Sequence, residues 1–394
     1  MVTYSSYPAD PRPRRAVDVM LKEGMTVDLI CLRDAKEPKR EAAGTVDVLR
    51  VPITHRRGGK LSYIYNYFAF LMISAGVLAL RSLKKPYHLV YVHNMPDVLV
   101  LTALVPKLLG AKVILDMHDP MPELMTTIYN LENASLSVRL IRWLETWSMA
   151  RATAVITVNL ACKRIFSSRS CHPAKISVVM NSPDGDIFPF RTPHAPPSAP
   201  DDTQKRRVIM YHGSLVERNG LDLAIAALDQ VKDTIPDVEL RIYGRRTDFL
   251  DRVMETVREI GLHDRVHYLG PKRLEELVGA IEECDVGIIP NQRNAFTEIN
   301  TPTRMFEYLA LGKPVIAPRT PGIQDYFHPG SLFFFEPGDK DDLAQSIEYV
   351  LSHTGEAMEN AKQGQKVYLA HAWSQERQIL VNLIDSLLRE NRAN

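Results

Sequence analysis

The sequence predicts an α/β protein built from two Rossmann-like domains, and three observations carry that prediction. Its 394 residues exceed what one ordinary core accommodates. Short apolar runs alternate with longer amphipathic stretches through the first half, and the same rhythm restarts after residue 207. Between the halves runs SPDGDIFPFRTPHAPPSAPDDTQKRR (182–207), whose six prolines and lack of periodicity mark a linker or exposed loop. The expected layout is an amino-terminal domain over 1–185, a linker over 186–206 and a carboxy-terminal domain over 207–372. A last helix, 373–394, has apolar residues at helical spacing and could return toward the amino-terminal domain.

Taken in order, the strand candidates of the first half are VDLICL (27–32), HLVYVHN (88–94), KVILDMHD (112–119) and AVITVN (154–159). Those of the second half are VIMYHG (208–213), VELRIYG (238–244), VHYLG (266–270), DVGIIPN (285–291), PVIAP (314–318) and SLFFFE (331–336). Strands spaced by helical stretches imply βαβ units and parallel sheets, with ligands at the carboxyl edge and the cleft between domains as the natural site.

Composition narrows the class. With 45% hydrophobic and 24% charged residues, the chain reads as globular. Its net charge of +1 hides a split: 24 Lys+Arg against 15 Asp+Glu up to Asp184, and 24 against 32 beyond it. Either the halves meet different partners or the charges segregate by chance on solvated surfaces. Cys31, Cys162, Cys171 and Cys284 are scattered, which argues against a disulfide framework or a zinc site and fits a reducing cytosol. The opening MVTYSSYPADPRPRR lacks the apolar core of a signal peptide, so a cytoplasmic location is expected. LSYIYNYFAFLMISAGVLAL (61–80) is uncharged and flanked by Arg56, Arg57 and Lys60 on one side and Arg81, Lys84 and Lys85 on the other. Its length matches a bilayer span, but Asn66, Ser62, Ser74 and three tyrosines favour a buried or membrane-touching helix at the inner face of a membrane.

Four motifs carry candidate chemistry. In FTEINTPTRMFEYLALGKPVIAP (296–318), Thr301 is expected as an N-cap, Pro302 as the first helical residue and Gly312 as the stop. A phosphate could sit against the free amides of residues 301–303. Glu307, further along that helix, suits the vicinal hydroxyls of a ribose, or else faces solvent or a buried Arg. In HGSLVERNGLD (212–222), Gly213 permits close backbone approach, Ser214 offers a hydroxyl, and Arg218 can fork onto a diphosphate; a plain βα turn fits the same residues. His118 and Asp119 end KVILDMHD, and His93 and Asn94 end HLVYVHN, either facing a ligand or capping loops. Arg12, Arg14 and Arg15 stand at the first strand-to-helix turn, where they would hold a phosphorylated acceptor or simply form a solvated basic helix start. GxGxxG and a Walker A loop are missing from the sequence, and no metal ligand is expected.

DPRPRRAVDVMLKEGMTVDLICL, VILDMHDPMPEL, HGSLVERNGLDLAIAAL and NTPTRMFEYLALGKPVIA together resemble the retaining family-4 glycosyltransferases of GT-B fold, over nearly the whole chain. The resemblance implies a nucleotide-diphosphate-sugar donor in the carboxy-terminal domain, UDP ahead of GDP, and an acceptor in the amino-terminal one. The donor is a co-substrate; no bound cofactor is implied. Glu307 matches the second acid of the family's E-x7-E motif, and the first falls on Ile299, with Glu298 one position out of register. Ser214 and Asn219 stand where the family's diphosphate-binding Arg and Lys would be, leaving Arg218 as the substitute. His118 matches the family histidine near donor sugar and acceptor. The implied site therefore comprises His118, Asp119, Arg218 and Glu298 for chemistry, and Gly213, Ser214, Arg218, Asn300, Thr301, Thr303 and Glu307 for the nucleotide. Arg12, Arg14, Arg15 and His93 would serve the acceptor.

The expected reaction is metal-independent sugar transfer with retention to a lipid-linked, phosphorylated or polysaccharide acceptor, by front-side attack in a water-excluding cleft that closes on the donor. Peripheral membrane contact is expected and nucleic-acid binding is not. Two other readings share this architecture: a sugar-nucleotide 2-epimerase, and a degenerate transferase acting as a binding or scaffold protein.

Overall fold

A computed structural model describes residues 1–34, 37–53, 60–193 and 206–393, with only the backbone described at 60–63 and 390–393. Arg56, Arg57 and residues 194–205 of the proline-rich stretch lie outside the described residues. The chain divides into two compact units: Met1–Asn181 with Glu376–Asn394, and Ser182–Gln375.

The first unit holds an eight-stranded sheet. In chain order its strands are β1 (Val2–Ser6), β2 (Val27–Leu32), β3 (Arg40–Ala43), β4 (Val46–Val51), β5 (Leu89–His93), β6 (Lys112–Met117), β7 (Ala154–Thr157) and β8 (Ile176–Val178). Their spatial order is β3-β4-β2-β1-β5-β6-β7-β8, parallel throughout except that β3 runs antiparallel to β4. Each inner strand is almost wholly buried, as in Val113, Ile114 and Leu115, because helices cover both faces of a parallel sheet. The β3–β4 edge was not among the predicted strands: REAA is exposed on every residue and carries no apolar alternation.

The helix Lys60–Lys84 fills the 61–80 segment. Phe70, Ser74, Leu78 and Ser82 recur every four residues and form its buried stripe. Phe70 meets Tyr4 edge-on at 5.1 Å. The opposite face exposes Ile64, Tyr65, Phe68, Met72, Leu80 and Leu83, from 55% to 70%. Among the described residues this is the one helix long and apolar enough to cross a membrane.

The second unit holds six parallel strands: β9 (Arg207–His212), β10 (Val238–Tyr243), β11 (Val266–Tyr268), β12 (Val286–Ile288), β13 (Val315–Pro318) and β14 (Phe333–Phe335), ordered β11-β10-β9-β12-β13-β14. All six predicted strands of this half are present. Ile209, Tyr211, Leu240, Ile242 and Ile288 pack against Leu221, Leu228, Val257 and Ile347 of the covering helices. Order reverses at β9, between β10 and β12, the crevice position of an open α/β sheet.

The part of the proline-rich stretch that is described does not trail free. Phe188 is buried, Phe190 stacks on Tyr368 at 6.4 Å, and Arg191 N donates to Ala310 O at 2.8 Å. The final helix, Trp373–Ala393, belongs to the first unit from Glu376 onward, burying Leu380, Val381, Ile384 and Leu387. Glu376 accepts from Met180 N at 2.7 Å.

Candidate active site

In the second unit the candidate residues gather where β9 ends. The helix that follows β12 starts at Thr303 and runs to Ala310, with Pro302 in the N-cap position. This corrects the expected start by one residue. Thr301 does not cap; its Oγ1 donates to Gly322 O at 2.7 Å. Proline at the cap, with φ −63° and ψ 126°, turns the chain into the helix without a side-chain oxygen. Asn300 precedes it in an extended conformation, closing the short 3₁₀ turn Thr297–Ile299.

Glu307 is 14% exposed, and its Oε2 lies 2.5 Å from His212 Nε2. His212 Nδ1 lies 2.8 Å from Tyr308 Oη, which donates to Met210 O at 2.8 Å. Tyr308 is fully buried, and burial drives its phenol well above the usual range. Its ring occupies the space beside Gly287, where a Cβ would come within 2.3 Å of the ring.

Arg304, three residues before Glu307, aims its guanidinium at the end of β9. Nη2 donates to Asn291 Oδ1 at 2.7 Å, and Nη1 donates to Tyr211 Oη at 3.3 Å and to His212 O at 3.4 Å. Gly213 has φ +128°, and a Cβ there would lie 2.9 Å from Arg304 Nη1. The glycine therefore serves both the backbone turn and the approach of a cation. Gly213 and Ser214 are exposed. Ser214 O accepts from Asn219 Nδ2 at 2.8 Å and Tyr211 Oη at 2.9 Å, so Asn219 closes the turn rather than replacing a cationic ligand.

Arg218 and Glu298 lie further out. Arg218 sits over the Phe296 ring at 5.8 Å, in the 3₁₀ turn Glu217–Asn219. Glu298 pairs with Arg293 at 3.3 Å. That pairing holds the out-of-register acid on its own turn.

In the first unit, β5 and β6 bring His93 and His118 together, with His93 Nδ1 and His118 Nε2 3.0 Å apart. His118 N donates to Asn94 Oδ1 at 2.8 Å, and Asn94 Nδ2 donates to Asp97 Oδ1 and Asp119 O, each at 3.1 Å. Asn94 thus locks the 118–119 turn to the end of β5. Burial lowers the His118 ring below its ordinary value despite the opposing charge of Asp116, so it stays neutral. Burial and the nearby Glu145 charge push Asp97 up to about 7.

Arg12 requires a correction. Expected to grip an acceptor phosphate, it is buried and bound to Asp116, with Nε 3.0 Å from Oδ2, and it donates to Asn181 Oδ1 at 2.7 Å. Its charge holds the Asp116 carboxyl well below the carboxylate range against the cost of burial. Arg14 and Arg15 remain on the first turns of the helix Pro11–Lys22, with Arg15 3.3 Å from Asn181 Oδ1. His93, Asp116 and His118 place three donor atoms within 4.8 Å of one another. Asp116 Oδ2, however, already accepts from Arg12 Nε and from Tyr91 Oη at 2.8 Å. With its charge neutralised by a guanidinium, this cluster fits a fixed proton network better than a cation.

His212, Arg304, Tyr308, Asn291 and Asn181 were not singled out from sequence. The one available signal was the His-Gly pair ending an apolar run, and its partner lies 95 positions away.

Two family descriptions match the chain. "Glycosyl transferase 4-like domain" covers residues 11–182, and "Glycosyl transferases group 1" covers 206–353. A probable glycosyltransferase WbjE of Pseudomonas aeruginosa is 22% identical over 213 residues, covering 53% of this chain and 51% of that protein. A D-inositol 3-phosphate glycosyltransferase of Corynebacterium urealyticum is 26% identical, covering 55% and 52%. The match thus spans about half the length of these curated relatives. Among solved structures, sucrose-phosphate synthase from Thermosynechococcus elongatus superposes with TM-score 0.77 at 19% identity, covering 99% of this chain and 98% of that one. Anabaena HepE in complex with UDP gives 0.71 at 16% identity, covering 98% and 99%. Two family descriptions in tandem and a shared two-lobed fold lead to one conclusion: the chain has the GT-B fold and is related to the group 1 and 4-like glycosyl transferase families.

Proposed function

We propose that the protein transfers a sugar from a nucleoside diphosphate sugar, with retention at the anomeric carbon, and that the second unit binds the nucleotide. The observation carrying this is Glu307, fixed by His212 at the switch point of the sheet and one helical turn from the Arg304 guanidinium. A carboxylate for ribose hydroxyls and a cation for the diphosphate are what such a ligand needs. Arg304 supplies the charge nearest Gly213, with Arg218 on the neighbouring turn. The likeness to a UDP-bound fold supports UDP as the first nucleotide to try.

On this reading, chemistry is chiefly electrostatic: cations and helix amides stabilise the departing diphosphate. The acceptor hydroxyl attacks from the leaving-group face and passes its proton to the departing phosphate. In the first unit neutral His118, held by His93 and Asn94, offers a hydrogen bond to a sugar or acceptor hydroxyl, with Arg14 and Arg15 as the available basic groups.

The acceptor is proposed to be lipid-linked, presented at an anionic membrane surface. The Lys60–Lys84 helix exposes one long apolar face, Leu108 beside it is 86% exposed, and the residues up to Asp184 carry the surplus of positive charge.

The deciding experiment is a thermal-shift panel of UDP, GDP, ADP and their sugars, followed by Glu307→Ala. Stabilisation by one nucleotide series, lost in the variant, is expected. No shift with any of them would overturn the proposal. Sugar-nucleotide turnover to an epimer without acceptor would reassign the activity.

A further inference from the structure

The bonds around His212 specify more than a contact. Tyr308 has one hydroxyl proton, and Met210 O, 2.8 Å away, can only accept it. Toward His212 the phenol oxygen is therefore the acceptor, and Nδ1 carries a hydrogen. The other ring nitrogen faces a carboxylate at 2.5 Å, so a proton lies between Nε2 and Glu307 Oε2 as well. An unbroken chain results: Met210 C=O, Tyr308 hydroxyl, imidazole, Glu307.

The groups facing this chain from neighbouring elements are Tyr211 and the Arg304 guanidinium, which is itself held by Asn291. Arg304 also reaches His212 O. The imidazole is the one hydrogen-bond partner of the Glu307 carboxylate among the described residues. With it, Oε2 is pinned, and Oε1 has no hydrogen-bond partner among the described residues. His212 is buried on the strand and Tyr308 is fully buried beneath it, so the chain is anchored in the core and ends at a partly exposed oxygen.

We propose that His212 is a positioning residue which, through Glu307, makes the nucleotide site select ribose over deoxyribose. This rests on the nucleotide-sugar reading above. Pinning one carboxylate oxygen fixes where the other can accept from a vicinal hydroxyl; a freely rotating carboxylate would recover water as easily as a 2′-hydroxyl.

The test uses the full chain and measures affinity for UDP, GDP, 2′-deoxyUDP and 2′-deoxyGDP by calorimetry. Wild type is expected to prefer the ribonucleotide of its series by about tenfold or more. His212→Ala should remove that preference by weakening the ribonucleotide while leaving the deoxynucleotide unchanged. Two further variants guard against a fold defect. His212→Gln places an amide nitrogen near the Nε2 position and should restore most of the preference. His212→Asn reaches Tyr308 but not Glu307 and should not. Equal losses for both nucleotides, or a preference retained in both Ala and Asn variants, would overturn the role of His212 while leaving nucleotide binding intact. Absence of any nucleotide binding by wild type would instead overturn the function itself, and this inference with it.

Discussion

Single residues here do their work in pairs formed across long stretches of chain. Arg12 and Asp116 are buried together, 104 positions apart, with side chains 10% and 2% exposed. Removing one partner leaves the other charge stranded, so Arg12→Met should lower the stability of the first unit by about 3–5 kcal/mol, measured by urea denaturation. The double change Arg12→Met with Asp116→Leu should recover much of that loss. Asp97 offers a test in pH. Its folded pKa, raised to about 7, exceeds the unfolded value of 3.8, so the folded state holds the extra proton between them. Stability drawn from this proton falls as pH rises through 7. Asp97→Asn should therefore raise the melting temperature at pH 8, with a ceiling of about 4 kcal/mol, and leave it unchanged at pH 4. A gain of equal size at both values would show that the carboxyl's ionisation is not the cost.

At the level of elements, the helix Thr303–Ala310 is held by shape as much as by hydrogen bonds. Tyr308 fills the face of β12 that Gly287 leaves open. Gly287→Ala should cost about 1–3 kcal/mol by overpacking, and should weaken nucleotide binding with it, because Tyr308 carries His212. The Lys60–Lys84 helix gives a second prediction: Phe68→Glu with Leu80→Glu should abolish sedimentation with anionic liposomes at low salt while leaving the melting temperature within a degree or so. Wild type remaining in the supernatant would refute membrane docking outright. These two helices also show what sequence reveals. An apolar run of a buried parallel strand is legible because burial on both faces leaves no polar residue to obscure it, and all ten predicted strands are present. The Arg40–Ala43 strand is not, since it owes its conformation to pairing with Val46–Val51. Glu307 was legible through its place on a helix after a proline. Its partner His212, and the diversion of Arg12 to Asp116, were not, because nothing local distinguishes an arginine aimed at solvent from one aimed at a carboxylate a hundred residues away.

For the whole molecule, the two units differ in how they are completed. The second is continuous in sequence, whereas the first needs Glu376–Asn394 to finish it. Removing residues 376–394 should expose the surface that Leu380, Val381, Ile384 and Leu387 cover and strand Met180 N without its carboxylate. Two-transition unfolding is the expected outcome, with the first unit's transition moved to lower temperature and the second's unmoved, read by calorimetry. The charge split then has a physical setting, since the surplus of acidic groups beyond Asp184 belongs mostly to the unit proposed to bind an anionic nucleotide. Local cations such as Arg304 must overcome that background field, so donor affinity should rise with moderate salt or fall only weakly, unlike a site set in a basic surface. One junction ties this unit's beginning to its ligand helix. Arg191 N caps Ala310 O, Gln365 Nε2 spans Arg191 O and Leu309 O, and Gly312, with φ +73°, leaves no room for a side chain against Arg191–Pro193. The incoming chain thus seals the last turn of the helix that bears Glu307. In deuterium exchange the amides of that turn and of Arg191 should open as one cooperative unit, and nucleotide bound at the far end should slow them together.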